Sequence, residues 1–174
     1  AHMVRATVTA TACANIAFVK YWGNLESSRR LPFNDSLSMN LDAATTTTTV
    51  AFDARLPRDA VAIDGRVIDG PGYDRVVTHL DHIRVRAGTT ERASVISANT
   101  FPMGTGIASS AAAFAALSVA GASAAGLDLA ANELSALARL GSGSAARSLR
   151  EHGGKPPLHP PSQSSENRGS EFNQ

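Results

Sequence analysis

Phe101-Pro-Met-Gly-Thr-Gly-Ile-Ala-Ser-Ser-Ala-Ala-Ala113 runs from a glycine-rich turn directly into a small-residue helix whose first turn carries two hydroxyls. Gly104 and Gly106 let the backbone approach a polyphosphate closely. The free N–H groups that open the helix point at such a group, and the helix dipole favours its charge. Ser109 and Ser110 can add hydrogen bonds or a magnesium contact. The same residues also read as an Ala-rich buried helix with an ordinary N-terminal turn, and the turn alone does not choose between the two. The spacing Gly104-x-Gly106-x-x-Ser109 approaches a dinucleotide fingerprint, with Asp128 near the distance of a ribose-binding acid. Asp128, however, lies in Gly126-Leu-Asp-Leu129 and reads as the N-cap of the next helix rather than the end of a second strand. A Walker-type loop needs Gly-Lys-Ser/Thr, and no lysine occurs between Lys20 and Lys155.

Outward from this stretch the pattern is mixed. Ala93 to Asn99 is an alternating strand that delivers the chain to the turn, and helices are expected over about Ile107–Ala125 and Leu129–Leu140, the second ended by Gly141 at its C′ position. Val4–Thr11 and Asn15–Tyr21 read as two strands, and Met39–Phe52 as one long strand or two with a bend. Val61-Ala-Ile-Asp-Gly-Arg-Val-Ile68 is a hairpin, because Asp64-Gly65 supplies the positive-φ pair of a type I′ turn. Tyr73, Val76, Val77, Leu80 and Ile83 share one face of a helix over Tyr73–Arg86. Strands followed mostly by helices predict an α+β layer structure.

Several side chains carry a plain reading beside a functional one. His79, Asp81 and His82 have metal-compatible spacing, but the amphipathic pattern assigns them to the solvated polar face of their helix. Cys13 reads as a small apolar residue inside a strand rather than a nucleophile. The run Thr45–Thr49 is a β-branched strand with a structural role.

The chain has 174 residues, enough for one domain with a respectable core, with 43% apolar and 18% charged residues. A net charge of +1 gives no reason to expect nucleic acid or a membrane surface as partner. A single cysteine excludes an internal disulfide and fits a reducing cytoplasm. Ala1-His-Met3 reads as a cloning scar. From about Arg150 the composition turns to Pro, Ser, Asn, Gln and Gly, which cannot bury enough surface to offset ordering entropy, so residues 150–174 are expected to be a disordered tail. Gly169-Ser-Glu-Phe172 is what two adjacent restriction sites would encode; a native Pro-rich tail is the alternative.

The turn as a whole resembles the pattern Pro-x-x-x-Gly-Leu-x-Ser-Ser-Ala of the GHMP small-molecule kinases, with Ile107 where leucine is usual. Ala14-Asn-Ile-Ala-Phe-Val-Lys-Tyr-Trp-Gly23, then Leu31-Pro-Phe-Asn-Asp-Ser-Leu-Ser38 and the threonine run, resemble the opening of the mevalonate diphosphate decarboxylase family. Leu140-Gly-Ser-Gly-Ser-Ala-Ala-Arg-Ser148 resembles that family's substrate-carboxylate loop.

The resemblance implies a ribosomal protein S5 domain 2-like N-terminal domain of the GHMP fold over residues 4–149, truncated before the C-terminal domain. It implies ATP and Mg²⁺ as cofactors, and ATP-dependent decarboxylation of a phosphorylated mevalonate by a cytoplasmic homodimer. Pro102, Gly104, Gly106, Ala108, Ser109 and Ser110 would cradle the nucleotide phosphates, with a serine hydroxyl on Mg²⁺. Arg147 would hold the substrate carboxylate with Ser142 and Ser144. Lys20 would sit near the reacting hydroxyl, Tyr21 and Trp22 would line the 5-phosphate end, and Asp35 and Ser36 would lie in the substrate-binding turn. Two departures matter. Asn24 stands where the family has a phosphate-binding lysine, and the family's catalytic aspartate belongs to the half not present here. Three readings follow: a truncated diphosphate decarboxylase, a sister enzyme acting on mevalonate 5-phosphate as decarboxylase or 3-kinase, and a non-catalytic half that binds nucleotide or dimerises.

Overall fold

The computed structural model describes residues 6–19, 24–26, 31–32, 37–101 and 109–149. A five-stranded sheet is covered on one face by helices, which fixes the α+β class. Strand β1 (Val8–Val19) and the long central strand β4 (Leu37–Asp53) pair antiparallel, and β4 pairs antiparallel on its other side with β7 (Arg92–Asn99). Strands β5 (Ala60–Ile63) and β6 (Arg66–Val67) form a hairpin, and β5 lies parallel to β7. Parallel pairing needs a crossover element. Helix α1 (Pro71–Ala87) supplies it, with proline in its first turn and Gly88 closing it at φ 61. Short strands β2 (Asn24–Glu26) and β3 (Leu31–Pro32) pair separately. The expected hairpin turn is present, with Asp64 at φ 50 and Gly65 at φ 75.

The two strands expected at the N-terminus are one. Four successive buried residues, Ala12 to Asn15, interrupt the in–out alternation where a register shift between Cys13 and Ala14 bulges the ladder with β4. A period of two therefore reads as broken although the pairing continues. Cys13 is buried in this strand. The threonine run is locked on both faces of β4. Thr47 and Thr49 face Thr11 and Thr9 across the ladder at 2.9 and 2.8 Å, while Thr46 and Thr48 turn inward to Asn99 and Ser97 at 2.6 and 2.8 Å.

Helix α2 (Ser109–Ala124) packs on β1 and β4 and is buried nearly all round, so its alanines allow close approach to the sheet. Helix α3 (Ala131–Gly141) and the 3-10 turn Ala145–Ser148 close the layer beside it. Asp128 is not the cap of α3. That position is Ala130, whose N–H donates to Glu133 Oε2 at 2.9 Å, so the acid at the helix's third residue selects the start. Gly141 is the last helical residue rather than a left-handed C′. A Cβ there would run into the Phe114 ring of α2, so close helix packing, not backbone conformation, requires glycine. No helix among the described residues is long and apolar enough to cross a membrane.

His79 is also a correction: it is 1% exposed, not solvated. It lies three residues after Val76 and four before Ile83, on the buried stripe itself. Its Nε2 meets Ser118 Oγ at 2.8 Å, and Ser118 donates to the Phe114 carbonyl at 2.6 Å. The imidazole is therefore the Nε2–H donor. Burial, reinforced by His82 and Arg86, pushes its pKa down to about 3.

Arg84 on the same helix is buried with Asp59. Its guanidinium donates to the Asp59 carboxylate, to Asp81 Oδ1 at 2.6 Å and to the Glu91 carbonyl at 2.9 Å. Asp59 Oδ1 also accepts the Ala93 N–H at 2.7 Å, joining β7, α1 and the start of β5.

Candidate active site

Ser109 and Ser110 form the first turn of α2 and are half-buried. Ser110 Oγ lies 3.4 Å from Ser142 Oγ, which lies 3.3 Å from Ser144 Oγ. Three of the residues chosen from sequence thus form one chain of hydroxyls across the junction of α2 and the loop after α3. These separations exceed the 2.7–2.8 Å of a strong hydroxyl pair, so the oxygens keep hydrogen-bonding capacity for another group.

The loop is placed by backbone contacts. Ser142 N–H donates to the Ala138 carbonyl at 3.1 Å, Ala145 N–H to Ser142 at 2.9 Å, and Arg147 N–H to Ser144 at 3.2 Å. Arg147 therefore sits on the 3-10 turn that the serines begin, and it is half-buried. Asn15 ties this turn to β1. It is 2% exposed, and its Nδ2 donates to the Ser144 carbonyl at 3.2 Å and to Ser148 Oγ at 2.7 Å, while its buried Oδ1 accepts nothing among the described residues. Sequence reasoning misses Asn15, because neither its burial nor its partners 129 and 133 positions away can be read from Ala14-Asn-Ile16.

A cavity of about 210 Å³ opens beside the serines, between the sheet and helices α1 and α2. Val61, Ile63, Val95 and Leu117 make its wall apolar. Ser109, Ser110, Arg75 and Asn99 line it with polar atoms. Asn99 is fixed from both sides. Its N–H and Nδ2 donate to the Asp64 carboxylate at 2.7 and 3.0 Å, and its Oδ1 accepts from Thr46. These two bonds from Asn99 hold the exposed Asp64 carboxyl below the usual carboxylate range. The hairpin turn thus pins the end of β7 two residues before Phe101, where the glycine-rich stretch begins. Arg75 was not selected from sequence. One guanidinium on a helix face looks like a solvated charge until tertiary packing brings it to the cavity.

Lys20, Tyr21, Trp22, Asp35, Ser36, Pro102, Gly104, Gly106 and Ala108 lie outside the described residues, as do residues 1–3 and the tail from 150. Asn24 opens β2, its backbone paired to Pro32.

Residues 12–155 match the family described as the diphosphomevalonate decarboxylase-like N-terminal domain. The chain is 40% identical over 141 residues to the phosphomevalonate decarboxylase of Haloferax volcanii, an alignment covering 81% of this chain and 44% of that protein. It is 38% identical over 160 residues to human diphosphomevalonate decarboxylase, covering 83% of this chain and 39% of the relative. Among solved structures, mevalonate diphosphate decarboxylase from Staphylococcus aureus superposes with a TM-score of 0.79 at 38% identity, over 84% of this chain and 44% of that one. The Enterococcus faecalis enzyme, whose structure addresses ATP binding mediated by mevalonate diphosphate, gives 0.75 at 43% identity, over 82% and 45%. The chain spans less than half the length of each of these relatives. With the match over residues 12–155 and the shared sheet and helix layer, the chain belongs to the diphosphomevalonate decarboxylase-like N-terminal domain family.

Proposed function

We propose that this chain supplies the nucleotide- and substrate-binding half of an ATP-dependent decarboxylase that converts mevalonate 5-diphosphate to isopentenyl diphosphate. The observation that carries the reading is the contact of Ser110 with Ser142 beside the cavity. It joins the helix that follows the glycine-rich turn to the loop bearing Arg147, so phosphate and carboxylate chemistry share one wall. In the reaction, the tertiary 3-hydroxyl oxygen accepts the γ-phosphoryl group and its proton leaves to a base. The new phosphate then departs with its bonding electrons as the carboxylate's C–C bond breaks, releasing carbon dioxide and leaving a carbon–carbon double bond. Such chemistry depends on positioning and charge stabilisation more than on covalent catalysis.

In this reading Arg147 presents a planar fork to the carboxylate, helped by the Ser142 and Ser144 hydroxyls, and holds it aligned with the breaking bond. Ser109, Ser110 and the backbone of the turn from Pro102 to Ala108 bind and orient the triphosphate. The apolar wall of the cavity suits a purine ring. The hard hydroxyl donors of Ser109 and Ser110 suit Mg²⁺, which when bound offsets phosphate charge. We assign Lys20 to the reacting hydroxyl, Tyr21 and Trp22 to the substrate's phosphorylated end, and Asp35 and Ser36 to the substrate-binding turn. The base is assigned to the part of the relatives' length that this chain does not span. ATP-dependent release of labelled carbon dioxide tests this, using the chain extended by the remaining portion of the Haloferax volcanii relative. Turnover that survives Arg147→Ala sinks the assignment.

Asn24 favours a second reading, action on mevalonate 5-phosphate, in keeping with the name of the Haloferax volcanii relative. A charge-assisted phosphate contact is worth about 1.5–3 kcal/mol, so loss of the lysine corresponds to roughly a tenfold to hundredfold change in preference. Comparing kcat/KM for the mono- and diphosphate in the extended enzyme decides between the two.

A further inference from the structure

We infer that Arg75 is the cation that receives the nucleotide's phosphate chain, a role that deepens, and rests on, the nucleotide reading proposed above. In a Walker-type loop a lysine within the turn meets the polyphosphate. Here no lysine lies between Lys20 and Lys155, and α2 carries no charged residue along its whole length. Arg75 is the one charged side chain lining the cavity among the described residues, and Ser109 and Ser110 line the same cavity.

Its guanidinium is held at two points. One Nη donates to the Gly141 carbonyl at 3.2 Å, and the group stands 5.1 Å over the Phe114 ring. Those anchors come from α3 and α2, and Gly141 directly precedes Ser142. The fork is therefore seated where the two serine-bearing elements meet. The Gly141 bond uses one of five guanidinium N–H donors, and the side chain is exposed. A phosphoryl oxygen at the serine end of the cavity can take the remaining donors without breaking either anchor, which makes the group pre-oriented. Stacking on Phe114 and the fork geometry are properties of arginine that lysine does not reproduce.

The test uses the chain itself, titrated calorimetrically with ATP and Mg²⁺, with adenosine, and with mevalonate 5-phosphate. Arg75→Met should weaken ATP binding about tenfold, the lower end for a charge-assisted contact because the site is solvent-exposed, and leave adenosine and mevalonate 5-phosphate unchanged. Arg75→Lys should recover part of the loss and keep a stronger salt dependence than Arg75→Met. Unchanged ATP affinity in Arg75→Met overturns the inference. So does an equal loss for adenosine, which would make the residue a packing element, and so does a loss confined to mevalonate 5-phosphate. Failure of the unaltered chain to bind ATP at all instead removes the nucleotide reading itself. If Arg75→Met does not fold, the Arg75 Nε–H resonance of the unaltered chain decides. A shift with ATP but not with adenosine supports the assignment, and no shift with ATP rejects it.

Discussion

Two polar clusters in this molecule are built on opposite plans. Around Asp59, every strong group is matched within the chain: the buried carboxylate takes the Arg84 guanidinium and the Ala93 N–H, and Arg84 spends its other donors on Asp81 and Glu91. Around Ser142, the hydroxyls of Ser110, Ser142 and Ser144 stand 3.3–3.4 Å apart, and Asn15 keeps a buried acceptor that no described residue fills. The first arrangement is complete by itself and serves the fold. The second leaves hydrogen-bonding capacity among buried and half-buried groups that the described residues do not use, where an unmet polar group costs free energy.

Asp59→Ala breaks the first cluster and should have the largest effect. It leaves a buried guanidinium without its carboxylate, at a cost of about 3–5 kcal/mol in denaturant unfolding. A loss below about 1 kcal/mol would mean that Arg84 reaches water or Asp81 at no penalty.

The second test concerns His79, buried and neutral between α1 and α2. Its pKa is depressed from 6.5 to about 3 on folding, so the unfolded chain takes up a proton between those values and the folded chain does not. Stability from this group is complete above pH 6.5 and is lost as pH falls toward 3, at up to about 1.4 kcal/mol per pH unit. His79→Gln should flatten unfolding free energy measured from pH 6.5 to 4.5 relative to the parent chain. Parallel curves would contradict the burial.

Gly141→Ala probes the seam joining the helices to the serine loop. The added methyl collides with Phe114, and overpacking of this kind costs about 1–3 kcal/mol. Because Ser142 follows directly, ATP affinity should fall as well, whereas Asp59→Ala should leave affinity per folded molecule unchanged. The smallest stability effect belongs to Ser142→Ala, under about 0.5 kcal/mol, since neither of its hydroxyl contacts is short. A loss above 1 kcal/mol would make the serine chain structural and erase the contrast.

What was legible in the sequence was whatever local chemistry decides. The β-branched run around Thr45 marks β4, Asp64-Gly65 marks the turn between β5 and β6, and the apolar stripe from Tyr73 to Ile83 marks α1. The serines and Arg147 came from segment resemblance, and the structure adds the contact that links Ser110 to Ser142. What stayed hidden depends on partners distant in sequence. Residue type places His79 outside, whereas its helical angle places it inside. Gly141 reads as conformational because its neighbour Phe114, 27 positions earlier, carries no local signal. Asn15 and Arg75 likewise acquire meaning only once Ser148 and Gly141 are brought to them.

The central strand carries a consequence for biosynthesis. Its cross-strand partners lie far away in the chain, with Thr49 forty positions from Thr9 and Thr48 forty-nine from Ser97. A ribosome adding about 5–20 residues per second releases β4 roughly 2–9 s before β7 has followed it out, and α2 comes later still. Throughout that interval the ribbon of β1 and β4 keeps its edge toward β7 open and its inner row of Thr46, Thr48 and Val50 uncovered by α2. Nascent chains of this protein therefore pass through a stage at which a defined strand edge is unpaired. Slowing translation over residues 54–99 lengthens that stage and lowers the soluble yield without altering a single contact of the finished fold.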